Sequence, residues 1–185
     1  VEGQSQPGGL SIDFELPGVK LTRMPLEQDM GPMLEDGEID AIISPNAPKA
    51  LGRPDSPVRR LFEDYRTVEK DYFARTGIFP IMHTIVLRKE IYEKHPWAAA
   101  NLFQAFEQAK AWAYDQLMET DALKLTLPWV VAETEETRRI MGEDFWPYGV
   151  EPNRRALEAL PQYLYEQHLA PRVVPIEELF AASSQ

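Results

Sequence analysis

Cysteine is absent from the 185 residues. That excludes disulfides, thiolate metal sites and cysteine nucleophiles, and it suits a reducing cytoplasm, the compartment expected here. No uninterrupted apolar run approaches the roughly 20 residues that a membrane-spanning helix needs. Acids outnumber bases 30 to 19, giving a net charge of −11. Neither half of the chain carries a basic stripe, so nucleic acid and anionic membrane are not expected partners. The glycine-rich phosphate and dinucleotide loops are missing, as are G-x-S-x-G and H-E-x-x-H. Histidine occurs only at 83, 95 and 168, with no second histidine at ligand spacing. No metal and no cofactor is therefore expected.

What remains is the composition of a folded protein: 44% apolar, 26% charged and 10% aromatic residues, enough for one sizeable core or two small lobes. The opening run V-E-G-Q-S-Q-P-G-G reads as a loop and has neither an initiator Met nor an apolar signal core. The sequence is accordingly expected to be a piece of a longer protein.

Alternation over 19–24 suggests a short strand. Residues 29–36 have Met30, Met33 and Leu34 at helical spacing, and Gly37 is a natural stop. The mostly apolar run 39–44, closed by Pro45, reads as a buried strand, and 46–57 as a loop. A short strand over 59–62 and a helix over 67–75, ended by Gly77, follow. The β-branched residues of 78–87 read as a strand. Beyond it the chain is helical. Leu102, Phe106, Ala109, Ala113 and Leu117 form an apolar stripe behind Pro96, Gly142 stops a helix over 133–141, and Pro152 opens another. Pro161 lies inside that last helix and should kink it, and a short closing helix is expected over 176–180.

The run T-G-I-F-P-I-M-H, residues 76–83, carries the most chemical information. Histidine is the side chain that changes charge near neutrality, and here it sits among apolar residues just past a Gly/Pro junction. His83 reads either as a packed core histidine or as an acid–base group beside a cleft. Ser44, at the carboxyl end of its expected strand, reads as a ligand for an anion or a phenol, or as a turn-initiating serine. Arg59 and Arg60 point to opposite sides if extended, and one of them suits a carboxylate; a surface ion pair is the plainer reading. The loop aromatics Phe145, Trp146 and Tyr148 read as packing anchors or as the lining of a pocket for a flat ligand. His95 reads as a helix-start residue and His168 as a helix-end cation.

Several runs occur together in order: G-E-I-D-A-I-I-S-P (37–45), R-R-L-F (59–62), T-G-I-F-P-I-M-H (76–83), H-P-W (95–97), A-F-E-Q-A-K (105–110) and W-P-Y-G-V-E-P-N-R (146–154). With them the chain resembles the 4,5-dihydroxyphthalate decarboxylase family from about residue 37 to 180. The resemblance implies an α/β fold of the type II periplasmic-binding-protein kind, of which this would be the carboxyl-terminal portion with a helix-rich second half. Residues 1–77 would then be the remainder of the second α/β lobe, and 78–185 the crossing strand and helical return to the first, the fold being completed by an amino-terminal segment not in this sequence. The implied activity is cofactor-independent decarboxylation of a hydroxylated aromatic acid, so the expected partner is a small aromatic carboxylate; a second copy of the chain is a further candidate partner. On this reading His83 is the general acid, Arg60 clamps a carboxylate, Phe79 and Trp146 flank the ring, and Ser44 binds a ring hydroxyl. The alternative is a solute-binding protein of an ABC-type transporter that closes on its ligand without chemistry. Two positions depart from the family pattern: Pro161, where an unbroken helix is expected, and His168, where a glycine-like stop is expected.

Overall fold

The computed structural model describes residues 16–22, 24, 25 and 27–181. The loop expected over 1–9 and part of the strand expected over 19–24 lie outside them. Among the described residues six α-helices follow in order: α1 Met30–Glu35, α2 Tyr65–Thr76, α3 Lys89–Lys94, α4 Trp97–Leu117, α5 Val130–Met141 and α6 Val150–Glu166, with a closing 3₁₀ turn at Ile176–Glu178. The chain divides into two compact units, Val1–Val68 and Glu69–Gln185.

In the first unit the helix signals act as read. Asp29 caps α1 by accepting from the Gly31 N–H at 2.9 Å. Gly37, at φ +75°, ends it in a Schellman arrangement: its N–H reaches the Leu34 carbonyl, and the Glu38 N–H reaches that of Met33. An Arg53–Glu35 ion pair ties the following loop back to α1.

In the second unit α4 packs against α3 and α5. The buried apolar side chains here are Val130, Val150 and Ile176, from the starts of α5, α6 and the closing turn. Gly142 (φ 97°, ψ 175°) ends α5 and Gly149 (φ 90°, ψ 168°) precedes α6. This is a backbone region open in practice to glycine alone. Pro152 falls in the first turn of α6, where its missing N–H costs nothing. The helix continues through Pro161 to Glu166 as one element. His168 then takes φ 59° after the cap residue Gln167. Its N–H bonds the Tyr165 carbonyl and that of Leu169 the Leu164 carbonyl, so a histidine fills the role a glycine usually takes. His95 follows α3 as its cap residue, its N–H bonding the Ile91 carbonyl, and α3 itself had no sequence signal in the reading above.

The α/β, periplasmic-binding-protein-like expectation is not met. Helix, the closing turn included, accounts for 47% of the described residues, and no strand or sheet occurs among them. Runs 39–44, 59–62 and 78–87 have strand-like composition, but a strand exists only where a neighbour takes up its N–H and C=O groups. None of these runs has such a neighbour among the described residues, and most of their side chains are exposed. Ile43, Leu61, Ile85 and Val86 are 102%, 90%, 64% and 84% exposed. Pro80 also removes a ladder donor from the middle of the longest run. The shared-fold case for a transporter solute-binding protein falls with the sheet.

Candidate functional site

The residues singled out in the sequence fall in both units. In the first, Ser44 is exposed and its Oγ accepts the Asn46 N–H at 3.2 Å, which opens a turn. Arg60 is also exposed, and its guanidinium lies 4.7 Å from the centre of the Tyr65 ring. Arg60 and Arg59 have no carboxylate partner among the described residues.

In the second unit the structure brings Phe79 and Trp146 together, with ring centres 5.5 Å apart and planes tilted by 59°. The end of α2 delivers Phe79. Thr76 Oγ1 donates to the Tyr72 carbonyl at 2.7 Å and accepts the Ile78 N–H at 3.1 Å, while Arg155 of α6 reaches the Thr76 carbonyl at 3.4 Å. A glycine is required between them: Gly77 has φ +65°, and a Cβ there would come within 3.0 Å of the Arg155 guanidinium.

Trp146 is delivered by the loop 142–149, which both long helices hold. Lys110 and Tyr114, one turn apart on α4, face it. The Lys110 ammonium donates to both Asp144 oxygens, at 3.1 and 3.0 Å, and to Glu107, and it lies 4.8 Å from the centre of the Tyr148 ring. The Tyr114 hydroxyl donates to Asp144 Oδ1 at 3.0 Å and accepts the Trp146 N–H at 2.8 Å. Its ring stacks on Phe145 at 4.4 Å. From α6, Asn153 Nδ2 donates to the carbonyls of Pro147 and Gly149 at 2.8 and 2.9 Å.

These contacts fix the protonation states. Burial alone would lower the pKa of Lys110, but its hydrogen bonds and charge attraction to Asp144 and Glu107 outweigh that and hold it above its ordinary value. Burial first, and then the Asp144 carboxylate, push the Tyr114 phenol up to about 12, against the opposing pull of the Trp146 N–H. At neutral pH Lys110 is therefore a fixed cation and Tyr114 a fixed O–H donor. Both suit holding the loop in place rather than moving protons.

Beside the loop lies a hollow of ≈ 390 Å³ whose wall is almost entirely apolar, with Trp112, Leu117, Leu125 and Trp146 among its lining. A hollow of this size takes a single aromatic ring with its substituents. His83 is not one of its lining residues; it lies exposed on the extended stretch that continues from Phe79. Among the described residues no group of three or more His, Asp or Glu side chains is arranged to hold a metal ion, and no helix is long and apolar enough to cross a membrane.

Sequence reasoning reached Phe79, Trp146 and the aromatic loop but missed Lys110, Tyr114 and Asp144. The available signal was the i, i+4 pair Lys110/Tyr114 lying immediately beside the apolar stripe of α4.

No protein-family model matches the chain. It is, however, 38% identical over 174 residues to a 4,5-dihydroxyphthalate decarboxylase of Comamonas testosteroni, a match taking in 94% of this chain. The two are related in sequence. The chain spans about half the length of that curated relative, 53%. The resemblance read from the six runs extends through both units.

Proposed function

We propose that this chain is part of a decarboxylase acting on a hydroxylated aromatic acid such as 4,5-dihydroxyphthalate, giving protocatechuate and carbon dioxide. The observation carrying this reading is the 38% identity, along nearly the whole chain, to a protein of that name. The tilted Phe79–Trp146 pair and the adjoining apolar hollow support it, because the chemistry asks for a flat, weakly polar surface beside the ring.

The ring supplies its own electrons. A hydroxyl para to the departing carboxylate donates density, the ring carbon bearing that carboxylate takes a proton, and the C–C bond then breaks. Its electron pair restores aromaticity as carbon dioxide leaves. The protein must provide an acid, a cation for the carboxylate that stays, and surfaces that disfavour the charged ground state.

In this proposal His83 is the acid, a role worth roughly 10²- to 10⁴-fold. Its exposed position leaves it open to a ligand. In the first unit, Arg60, with no carboxylate partner among the described residues, keeps the role the resemblance implies for it, a ligand for the retained carboxylate. Phe79 and Trp146 flank the ring. Ser44 binds a ring hydroxyl, its oxygen accepting the Asn46 N–H while its proton stays free to donate.

The test is His83→Gln in the protein that carries this sequence. Carbon dioxide release from 4,5-dihydroxyphthalate should fall at least about 100-fold with substrate affinity nearly unchanged. Undiminished turnover would remove His83 from the mechanism.

A further inference from the structure

The hollow beside the aromatic loop has two lysines in its lining, Lys110 and Lys124, and they differ in one respect. Lys110 is spent: Asp144 and Glu107 both hold it, and its side chain is only 8% exposed. Lys124 lies exposed in the connection between α4 and α5 and has no carboxylate partner among the described residues. In a chain with 30 acids and 19 bases, a cation at the edge of an apolar wall with no acid against it among the described residues stands out. The rest of the lining offers aromatic and aliphatic surface from Trp112, Leu117, Leu125 and Trp146. Apolar walls with one ammonium at their edge match a flat ring bearing a carboxylate: the ring leaves water, and the carboxylate takes the charge that no described acid holds.

The geometry points to this hollow as an aryl-carboxylate binding site, with Lys124 as its anchor. The assignment rests on the decarboxylase reading for its ligand class and deepens it by naming a cation, besides Arg60, for one carboxylate of the diacid. Because Lys110 is neutralised locally, this hollow's selectivity for an acid over a neutral arene comes from Lys124.

The experiment titrates the whole protein with phthalate, which lacks the hydroxyls needed for turnover, and follows tryptophan fluorescence, since Trp112 and Trp146 line the hollow. Saturable quenching is expected. Lys124→Gln should weaken phthalate about tenfold, the loss of one charge-assisted contact. Lys124→Arg should retain most of the affinity, and Lys94→Gln, an exposed change on α3, should alter nothing. Phthalamide, the uncharged counterpart, should bind wild type and Lys124→Gln equally. Equal phthalate affinity in wild type and Lys124→Gln, or no saturable quenching at all, overturns the assignment. The two readings fail separately. Lys124-dependent phthalate binding without carbon dioxide release keeps the site and removes the decarboxylase; turnover with an unchanged KM in Lys124→Gln does the reverse.

Discussion

Replacing Tyr114 by Phe removes one oxygen and, with it, both hydrogen bonds that this side chain makes to the loop 142–149. The first, O–H to the Asp144 carboxylate at 3.0 Å, is charge-assisted and worth about 1.5–3 kcal/mol when well shielded. The second, from the Trp146 N–H at 2.8 Å, is an amide bond worth about 0.5–1.5 kcal/mol. Two features reduce the sum. Asp144 keeps both of its bonds to Lys110, so no buried charge is orphaned, and it is half-exposed, so water replaces part of what is lost. A net loss of about 2 kcal/mol is expected from chemical denaturation of the variant. A double-mutant cycle with Asp144→Asn isolates the shared bond and should give a coupling of about 1–2 kcal/mol. Losses that add within about 0.5 kcal/mol would show that the two side chains act independently, and the account of how Trp146 is held would fail.

Other expectations follow from the same geometry. Tyr114 should ionise only at high pH, with its phenol pushed up to about 12, and Tyr114→Phe should delete that step from a tyrosinate absorbance titration. The folded-state pKa is raised, so its contribution to stability is complete below about 10, the ordinary phenol value, and is lost as pH rises toward 12. Gly149→Ala forces a side chain into a glycine-only region (φ 90°, ψ 168°) and should cost about 1–3 kcal/mol in thermal denaturation; a neutral result would mean the loop ending relaxes freely. His168→Gly should stabilise by up to about 1 kcal/mol by relieving a left-handed histidine, and a loss of stability would show that the imidazole makes compensating contacts.

Helix boundaries were legible because they are written locally. Asp29 caps its own first turn, and Gly37 and Gly142 stop helices through positive-φ conformations that favour glycine. Strands are not local. The β-branched residues of 78–87 have strand-like composition apart from Pro80, yet a strand requires a second segment, and none pairs with this run among the described residues. The site divides in the same way. Phe79 and Trp146 could be singled out as aromatics in loop contexts, but their meeting spans 67 residues of chain and depends on Asn153 and Arg155 of α6 holding both ends. Lys110 looked like a surface residue of an amphipathic helix. Only the return of Asp144, 34 residues later, makes it the clamp of the aromatic loop.

The most direct measurement incubates the protein carrying this sequence with 4,5-dihydroxyphthalate and follows carbon dioxide and protocatechuate together. The account predicts equimolar release of both without added cofactor. Recovery of the diacid unchanged, even where it binds saturably, would contradict it.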